Sequence, residues 1–310
     1  MKLWKLLTSL SIGIIAASVV GSPLLGHVPR RSLASGQVVI AKWAQPLSIS
    51  WSMNPTQTLN ITGTGSAESA FRQAFQTWGA VSTATIAFAE GPMTAAGKPG
   101  LDQVNLITAN LTAVEWAAYG IDAISFTNVT TSLATGEIVD ADIMFNPTAG
   151  FSTATPTPPN LSDLEAVATH EVGHLLGLDH SPLASAIMFP LAAGRTFSRT
   201  LTADDTIGVS TLYPTAAFAA RGSIDGTVRT MSNVGVFGAI VVVVGQNGQP
   251  FAATITAPDG KYSITGLPAG NYTLYAEPMD GPFGENDPVA PLSMLYPGKN
   301  VDTNFTSRFR

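Results

Sequence analysis

The stretch Thr169-His170-Glu171-Val172-Gly173-His174-Leu175-Leu176-Gly177-Leu178-Asp179-His180-Ser181 sets three histidines and one glutamate at fixed spacings. Each helical residue advances about 100°, so with His170 at zero His174 lies at roughly 40° and Glu171 at roughly 100°. Leu164, Ala168, Val172, Leu175 and Leu176 fall together at roughly 120–240°. One side of this predicted helix is therefore apolar and belongs in a core, while the other presents the imidazole pair to a cleft. Gly177 can end the helix in a left-handed conformation at little steric cost and turn the chain so that His180 returns. Upstream, Ser162 with Glu165 three residues later fits a capping box after the Pro158-Pro159 breaker. Three neutral imidazoles with a fourth corner left to water form the donor set of a catalytic zinc site, and Glu171 stands beside that corner. A helix with unrelated, solvated histidines is the bland account; the chain has four histidines and three of them stand here.

His170-Glu171-x-x-His174-x-x-Gly177-x-x-His180 resembles the long zinc signature of the metzincin metallopeptidases, which a methionine turn follows. Ala186-Ile187-Met188-Phe189-Pro190 is similar to that turn, with Met188 in the place of the family methionine. Ser181 after the third histidine, and the run from Leu201 to Tyr213, resemble the matrixin branch. The resemblance implies one catalytic Zn2+ on His170, His174 and His180, with Glu171 as general base and Gly177 shaping the loop. It also implies Met188 as an apolar floor beneath the metal and Phe189 and Pro190 beside the S1′ pocket. Asp204 and Asp205 are similar to the pair that ties the last helix to the methionine turn; read alone, they are first-turn carboxylates favourable to a helix dipole. The second, structural zinc of animal matrixins has no ligands here. Calcium has no clear ligand set: Glu137, Asp140 and Asp142 read more simply as a solvated face. With no cysteine in the chain, a thiol latency switch is excluded, as are disulfides and thiolate-bound zinc.

At 310 residues the prior is two domains. A net charge of −6 without a basic cluster argues against nucleic acid as a partner. Residues 1–35 read as a signal peptide and short leader: Lys2 and Lys5 precede an apolar run from Leu6 to Val20 that is short for a membrane span. Secretion, with no transmembrane span after its removal, is the expectation. Arg30-Arg31 could mark a processing site, but reads more simply as a solvated basic pair in a linker.

Residues 36–214 alternate strand and helix patterns, the α+β architecture of a metzincin-like domain: a twisted mixed sheet with about three helices. Leu47 to Met53 alternates with period two, and Phe71, Phe75 and Trp78 mark an amphipathic helix from Ala67 to Trp78. Asn105 to Thr108 and Ile124 to Phe126 read as short strands. Gly136 to Asn146 is a longer one, with Val139, Ala141, Ile143 and Phe145 turned toward a helix and Asp140 and Asp142 turned away. An exposed edge strand is expected next, from Phe151 to Ala154, able to pair with an extended peptide. The loop from Leu191 to Ser198 is expected to set pocket depth.

Residues 215–222 read as a linker, and residues 223–279 as a small all-β sandwich of closely spaced strands. Asp259 to Ile264 followed by Gly266 to Leu274 resembles the carboxypeptidase regulatory-like, prealbumin-type domain. A spacer role is the plain reading; docking of carbohydrate or protein is the functional one. Residues 280–310 form a Pro- and Asn-rich tail whose packing on the sandwich the sequence leaves open. The expectation is thus a monomeric, secreted zinc endopeptidase acting on polypeptides. Its rivals are a non-catalytic zinc-containing adhesion protein acting through the sandwich, and a surface protein with a structural zinc. The structural site would call for a fourth protein ligand that the sequence does not supply.

Overall fold

The computed structural model describes residues 29–35, 37–121, 123–190, 199–279, 292, 296 and 298–309. The expected signal peptide and the loop 191–198 lie outside the described residues. The elements of the larger domain are β1 (Arg31–Ala34), β2 (Gln37–Ile40), β3 (Ile49–Gln57), β4 (Asn60–Thr62), α1 (Ala67–Gly79), β5 (Phe88–Glu90), β6 (Leu106–Ala109) and α2 (Ala113–Tyr119). They continue with β7 (Ser125–Thr131), β8 (Ile138–Phe145), β9 (Gly150–Ser152), β10 (Ser162–Asp163), α3 (Leu164–Leu175) and α4 (Ala203–Leu212). After α5 (Ala216–Ala219) come β11 (Gly222–Thr227), β12 (Ile240–Val244), β13 (Pro250–Ile255), β14 (Lys261–Leu267), β15 (Thr273–Glu277) and β16 (Arg308–Phe309). No described helix is long and apolar enough to cross a membrane.

The main sheet runs β5-β3-β6-β8-β7, with β7 antiparallel to β8 and the other neighbours parallel. Helices α1 and α3 pack together over it. Trp51 of β3 stacks on Phe75 of α1 with ring centroids 4.2 Å apart, and Phe71 stacks on Phe145 of β8 at 5.0 Å. Trp78 Nε1 donates to the Thr169 carbonyl over 2.7 Å, pinning α1 to the helix that carries the histidines. Two short helices join the three expected from sequence. Of these, α2 begins at a capping box between Thr112 and Glu115.

Several expectations are corrected. The strand β9 is no exposed edge: it is the middle of a small parallel sheet, β10-β9-β4, because the proline-bearing loop returns the chain beside it as β10. The antiparallel edge of the main sheet is β7, which precedes β8 in the chain. Helix α3 is capped by Asp163, whose side chain accepts from Ala166 N, and not by Ser162, which ends in β10. Glu165 instead pairs with Arg199 over 2.9 Å, and the same guanidinium grips Asp163.

The leader and linker differ too. Arg30 N donates to Gly177 O over 2.8 Å, and β1 pairs with β2, so residues 30–34 pack onto the domain. Arg30 and Arg31 are half-buried, and burial lowers both guanidinium pKa values. The expected linker contains α5, capped by Thr215, with Phe218 buried.

The last correction is Asp140 and Asp142, both 0% exposed and not solvated. Period two put them opposite Ala141 and Ile143, but β8 is covered on both faces. Val139, expected inward, is exposed. Asp142 accepts from Gly100 N and Leu106 N, at 2.9 and 3.0 Å. Neither oxygen of Asp140 has a well-formed hydrogen bond; the backbone amide of Gln103 is near enough only to oppose weakly the rise in its pKa. Burial, then the charges of Asp142 and Asp102, push the Asp140 carboxyl up to about 7; burial pushes Asp142 up to about 6.

The smaller domain sets β11 and β14 against a sheet ordered β13-β12-β15-β16, with every pairing antiparallel. Val241 and Val243 of β12 face β14, while Ile240 and Val242 face Leu183, Ala186, Leu292 and Tyr296. The described part of the tail therefore packs on the sandwich.

A carboxyl with a raised folded-state pKa costs stability once pH exceeds its unfolded value near 3.9, increasingly so up to its folded value. In chelated buffer, Asp140→Asn is expected to raise the melting temperature at pH 8, by an amount that shrinks toward pH 4. Equal shifts at both pH values in calorimetry would show that the charge of Asp140 plays no part.

Candidate metal centre

Helix α3 delivers two of the three imidazoles from neighbouring turns, and its ending delivers the third. Gly177 adopts φ +93°, with its amide donating to His174 O over 2.9 Å, and Leu178 N donates to Gly173 O over 3.0 Å. Only glycine fits there, since a Cβ would lie 2.3 Å from Ala41 O. The chain then reverses and brings His180 back over the helix. His174 Nε2 lies 3.1 Å from His170 Nε2 and 3.2 Å from His180 Nε2.

The far sides of two rings fix their tautomer. His170 Nδ1 is 2.7 Å from Ile187 O, and His174 Nδ1 is 2.9 Å from Leu178 O. A carbonyl only accepts, so each Nδ1 carries the proton and each Nε2 offers a lone pair inward. Burial, then the neighbouring His170 and His180, hold the His174 pKa well below the ordinary value and keep the ring neutral. A tetrahedral zinc with bonds of about 2.0–2.1 Å sets its nitrogens about 3.3 Å apart. The trio fits that ion, and among the described residues it is the one histidine and carboxylate group of three or more able to hold a metal.

Glu171 is 3% exposed and both of its oxygens are engaged. Ser125 Oγ donates to Oε1 over 2.6 Å and Thr127 Oγ1 donates to Oε2 over 2.5 Å. Burial raises the carboxyl pKa, and the two hydroxyls oppose that rise. Neither hydroxyl was singled out from the sequence. Their alternate spacing puts them on one face of β7, but nothing local says that this face meets α3.

The segment between the third histidine and Met188 closes through Ser181 N to Met188 O, 2.8 Å. Met188 is 0% exposed, Phe189 is buried and Pro190 is half-buried beside the undescribed loop. Asp205 makes the expected tie from α4, accepting from Ile187 N at 3.0 Å and Met188 N at 3.1 Å. It also closes a capping box with Thr202. Burial, then Asp204, raise its pKa. Asp204 faces elsewhere, taking the Ser181 hydroxyl at 2.6 Å and Ala253 N at 2.9 Å. Gly173, read only as a spacer within the motif, lies against Met188: a Cβ there would be 2.2 Å from Met188 Sδ and 3.0 Å from Trp78 Cζ2.

The family model described as Matrixin matches residues 42–214, and that described as Carboxypeptidase regulatory-like domain matches residues 223–279. Metalloendoproteinase 1-MMP of Arabidopsis thaliana is 59% identical over 51 residues, 16% of this chain and 14% of the relative. Karilysin of Tannerella forsythia is 37% identical over 106 residues, 34% of this chain and 21% of the relative. Matrilysin of Rattus norvegicus is 48% identical over 48 residues, 15% of this chain and 18% of the relative. The chain therefore spans about a fifth or less of the length of these relatives.

Replacing a mid-helix glycine by alanine ordinarily stabilises by about 1 kcal/mol. At Gly173 the clash with Met188 and Trp78 outweighs that gain, since overpacking costs about 1–3 kcal/mol. Gly173→Ala is expected to lower the melting temperature of the metal-free protein; a rise would show that Met188 yields freely.

Proposed function

The chain belongs to the matrixin family, and from that premise we propose that it is a secreted zinc endopeptidase acting on extended polypeptide segments. The observation that carries this reading is the meeting of three Nε2 atoms, all within 4.8 Å of one another, beside the buried carboxylate of Glu171. His170, His174 and His180 are the residues that would hold the ion. Zinc, when bound, supplies Lewis acidity that lowers the pKa of a coordinated water to about 7 and polarises a scissile carbonyl.

The protein's own residues do the rest. Glu171 accepts the proton of the attacking water and later delivers it to the leaving amine. For this it needs a carboxylate held in one orientation, which the hydroxyls of Ser125 and Thr127 support. Their hydrogen bonds favour the ionised form and oppose the rise that burial imposes. Met188 closes the apolar floor beneath the rings, and Phe189 and Pro190 line the start of the S1′ side.

Among the described residues β7 is an antiparallel edge without an outer neighbour, which supports binding of substrate by strand addition, because its outward N–H and C=O groups offer a sequence-independent ladder to a peptide backbone. The same strand carries Ser125 and Thr127, so backbone recognition and the orientation of the base would share one rigid element.

Glu171→Ala is expected to keep one zinc per chain and to lose cleavage of denatured proteins by at least a thousandfold. Zinc content by atomic absorption and fluorogenic peptide cleavage measure the two separately. A wild-type protein that holds zinc and cleaves no denatured protein or peptide library would defeat the peptidase reading in favour of a non-catalytic binding protein. Ser125→Ala and Thr127→Val, at about 1.5–3 kcal/mol for a hydrogen bond to a charged group, are each expected to lower kcat about 10–100-fold with zinc retained. Unchanged kcat in both would leave the hydroxyls without a part in catalysis.

A further inference from the structure

The loop from His180 to Met188 is held from two sides. On one side, Asp205 of α4 takes the amides of Ile187 and Met188. On the other, Leu183 and Ala186 bury their side chains in the same apolar cluster as Phe237, Ile240, Val242 and Ile255 of the sandwich. Leu183 and Ala186 are 6% and 1% exposed, so this is the interior of a shared core and not a contact between two finished surfaces. Helix α4 is shared in the same way, with Ile207 packed among Val241, Val243, Ile264 and Phe218.

Asp204 joins these parts. It is 1% exposed, and a buried carboxylate is tolerated only where donors compensate for lost water. One donor is the hydroxyl of Ser181, the residue directly after the third histidine; another is the backbone amide of Ala253. Ala253 sits on β13, the terminal strand of its sheet, whose outward amides lack a neighbouring strand among the described residues. Asp204 thus caps a sheet edge in one domain and holds the metal-bearing loop of the other with the two oxygens of one carboxylate.

We propose that the C-terminal sandwich is a working part of the metal centre, with Asp204 as the positioning residue that locks the loop after His180 to the edge of β13. The physical reason is leverage. His180 reaches the metal from a loop and not from the helix, so its ring is placed only as firmly as that loop is anchored. Pairing with Ser181 fixes the loop one residue beyond the ligand, and the amide of Ala253 fixes Asp204 in turn. The reading as a spacer module predicts no such dependence.

The inference rests on the metal reading of the three histidines but not on peptide cleavage, and its readout is zinc affinity of the full chain by competition with a chromophoric chelator. Ser181→Ala removes the loop end of the tie, Asp204→Leu removes both bonds in similar volume, and Ala253→Pro removes a donor that an edge strand can spare. Each is expected to weaken zinc binding 10–100-fold, the range for groups that orient metal ligands. Asp204→Asn keeps an acceptor for Ala253 and can hold Ser181 by reversing the second bond, its amide donating to Ser181 Oγ, and is expected to stay within threefold of the parent. The double variant Asp204→Leu, Ala253→Pro is expected to be no weaker than Asp204→Leu alone, because both act through one tie.

Zinc affinity within threefold of the parent in Ser181→Ala and Ala253→Pro would overturn the proposal. So would a loss in Asp204→Asn as large as in Asp204→Leu, which would point to charge and not to the tie. If Asp204→Leu or Ala253→Pro fails to fold by circular dichroism, Ser181→Ala, the mildest change, decides alone. A parent that binds no zinc sinks the metal reading and this proposal together; a parent that binds zinc without cleaving peptides sinks only the peptidase.

Discussion

Three imidazole nitrogens come within about one ligand spacing of each other only if something restrains the rings from behind. Here the carbonyls of Ile187 and Leu178 do so, each facing the Nδ1 of a histidine whose Nε2 points inward. Those carbonyls belong to the loop that ends at Met188 and to the turn after Gly177, neither of which lies in the helix. The helix supplies the spacing of two ligands; the backbone folded over it supplies their tautomer and direction. Gly177 is the joint between the two, because its positive φ and the approach of Ala41 O leave no room for a side chain.

The same economy explains why so many carboxylates are buried. Glu171, Asp204 and Asp205 each lie in the interior and each meets donors: hydroxyls on β7, a hydroxyl and an amide across the domain boundary, and two amides of the methionine turn. Removing a donor from a buried carboxylate costs far more than the bond adds in net stability. That asymmetry gives the loops around the candidate metal site firm anchors although they carry little regular structure. Asp140 stands outside the pattern, buried without a well-formed hydrogen bond on either oxygen and beside Asp142 and Asp102. Its raised pKa is the electrostatic consequence.

The sandwich alters how the chain should be divided. Two family models meet end to end at residues 214 and 223, which suggests two units on a string. The side chains say otherwise: Leu183 and Ala186 complete one face of β12's sheet, and Ile207 of α4 completes the other. A strand such as β12, apolar at every position, needs cover on both faces. The sandwich finds part of that cover in the larger domain and part in Leu292 and Tyr296 of the tail.

How much of this was legible in the chain follows from the range of each interaction. The candidate metal ligands, Glu171, the α1 helix and the all-β character of the C-terminal domain could be read because helical and strand periods are local, and the histidine spacing repeats a helical turn. Asp163 displaced Ser162 as the cap by a shift of one residue, a difference that depends on how β10 enters the helix. The burial of Asp140 and Asp142, the true edge at β7, and the hydroxyls that hold Glu171 were not legible, since period two gives two faces without saying what covers them. Nor could sequence say that Asp204 would turn from its neighbour's partners to a strand almost fifty residues away. The sequence by itself determined the chemistry of the site, because donor atoms and their spacing are written in consecutive residues. Only the tertiary structure decided what steadies those donors, because a restraint acting from behind a ring comes from chain that is distant in sequence.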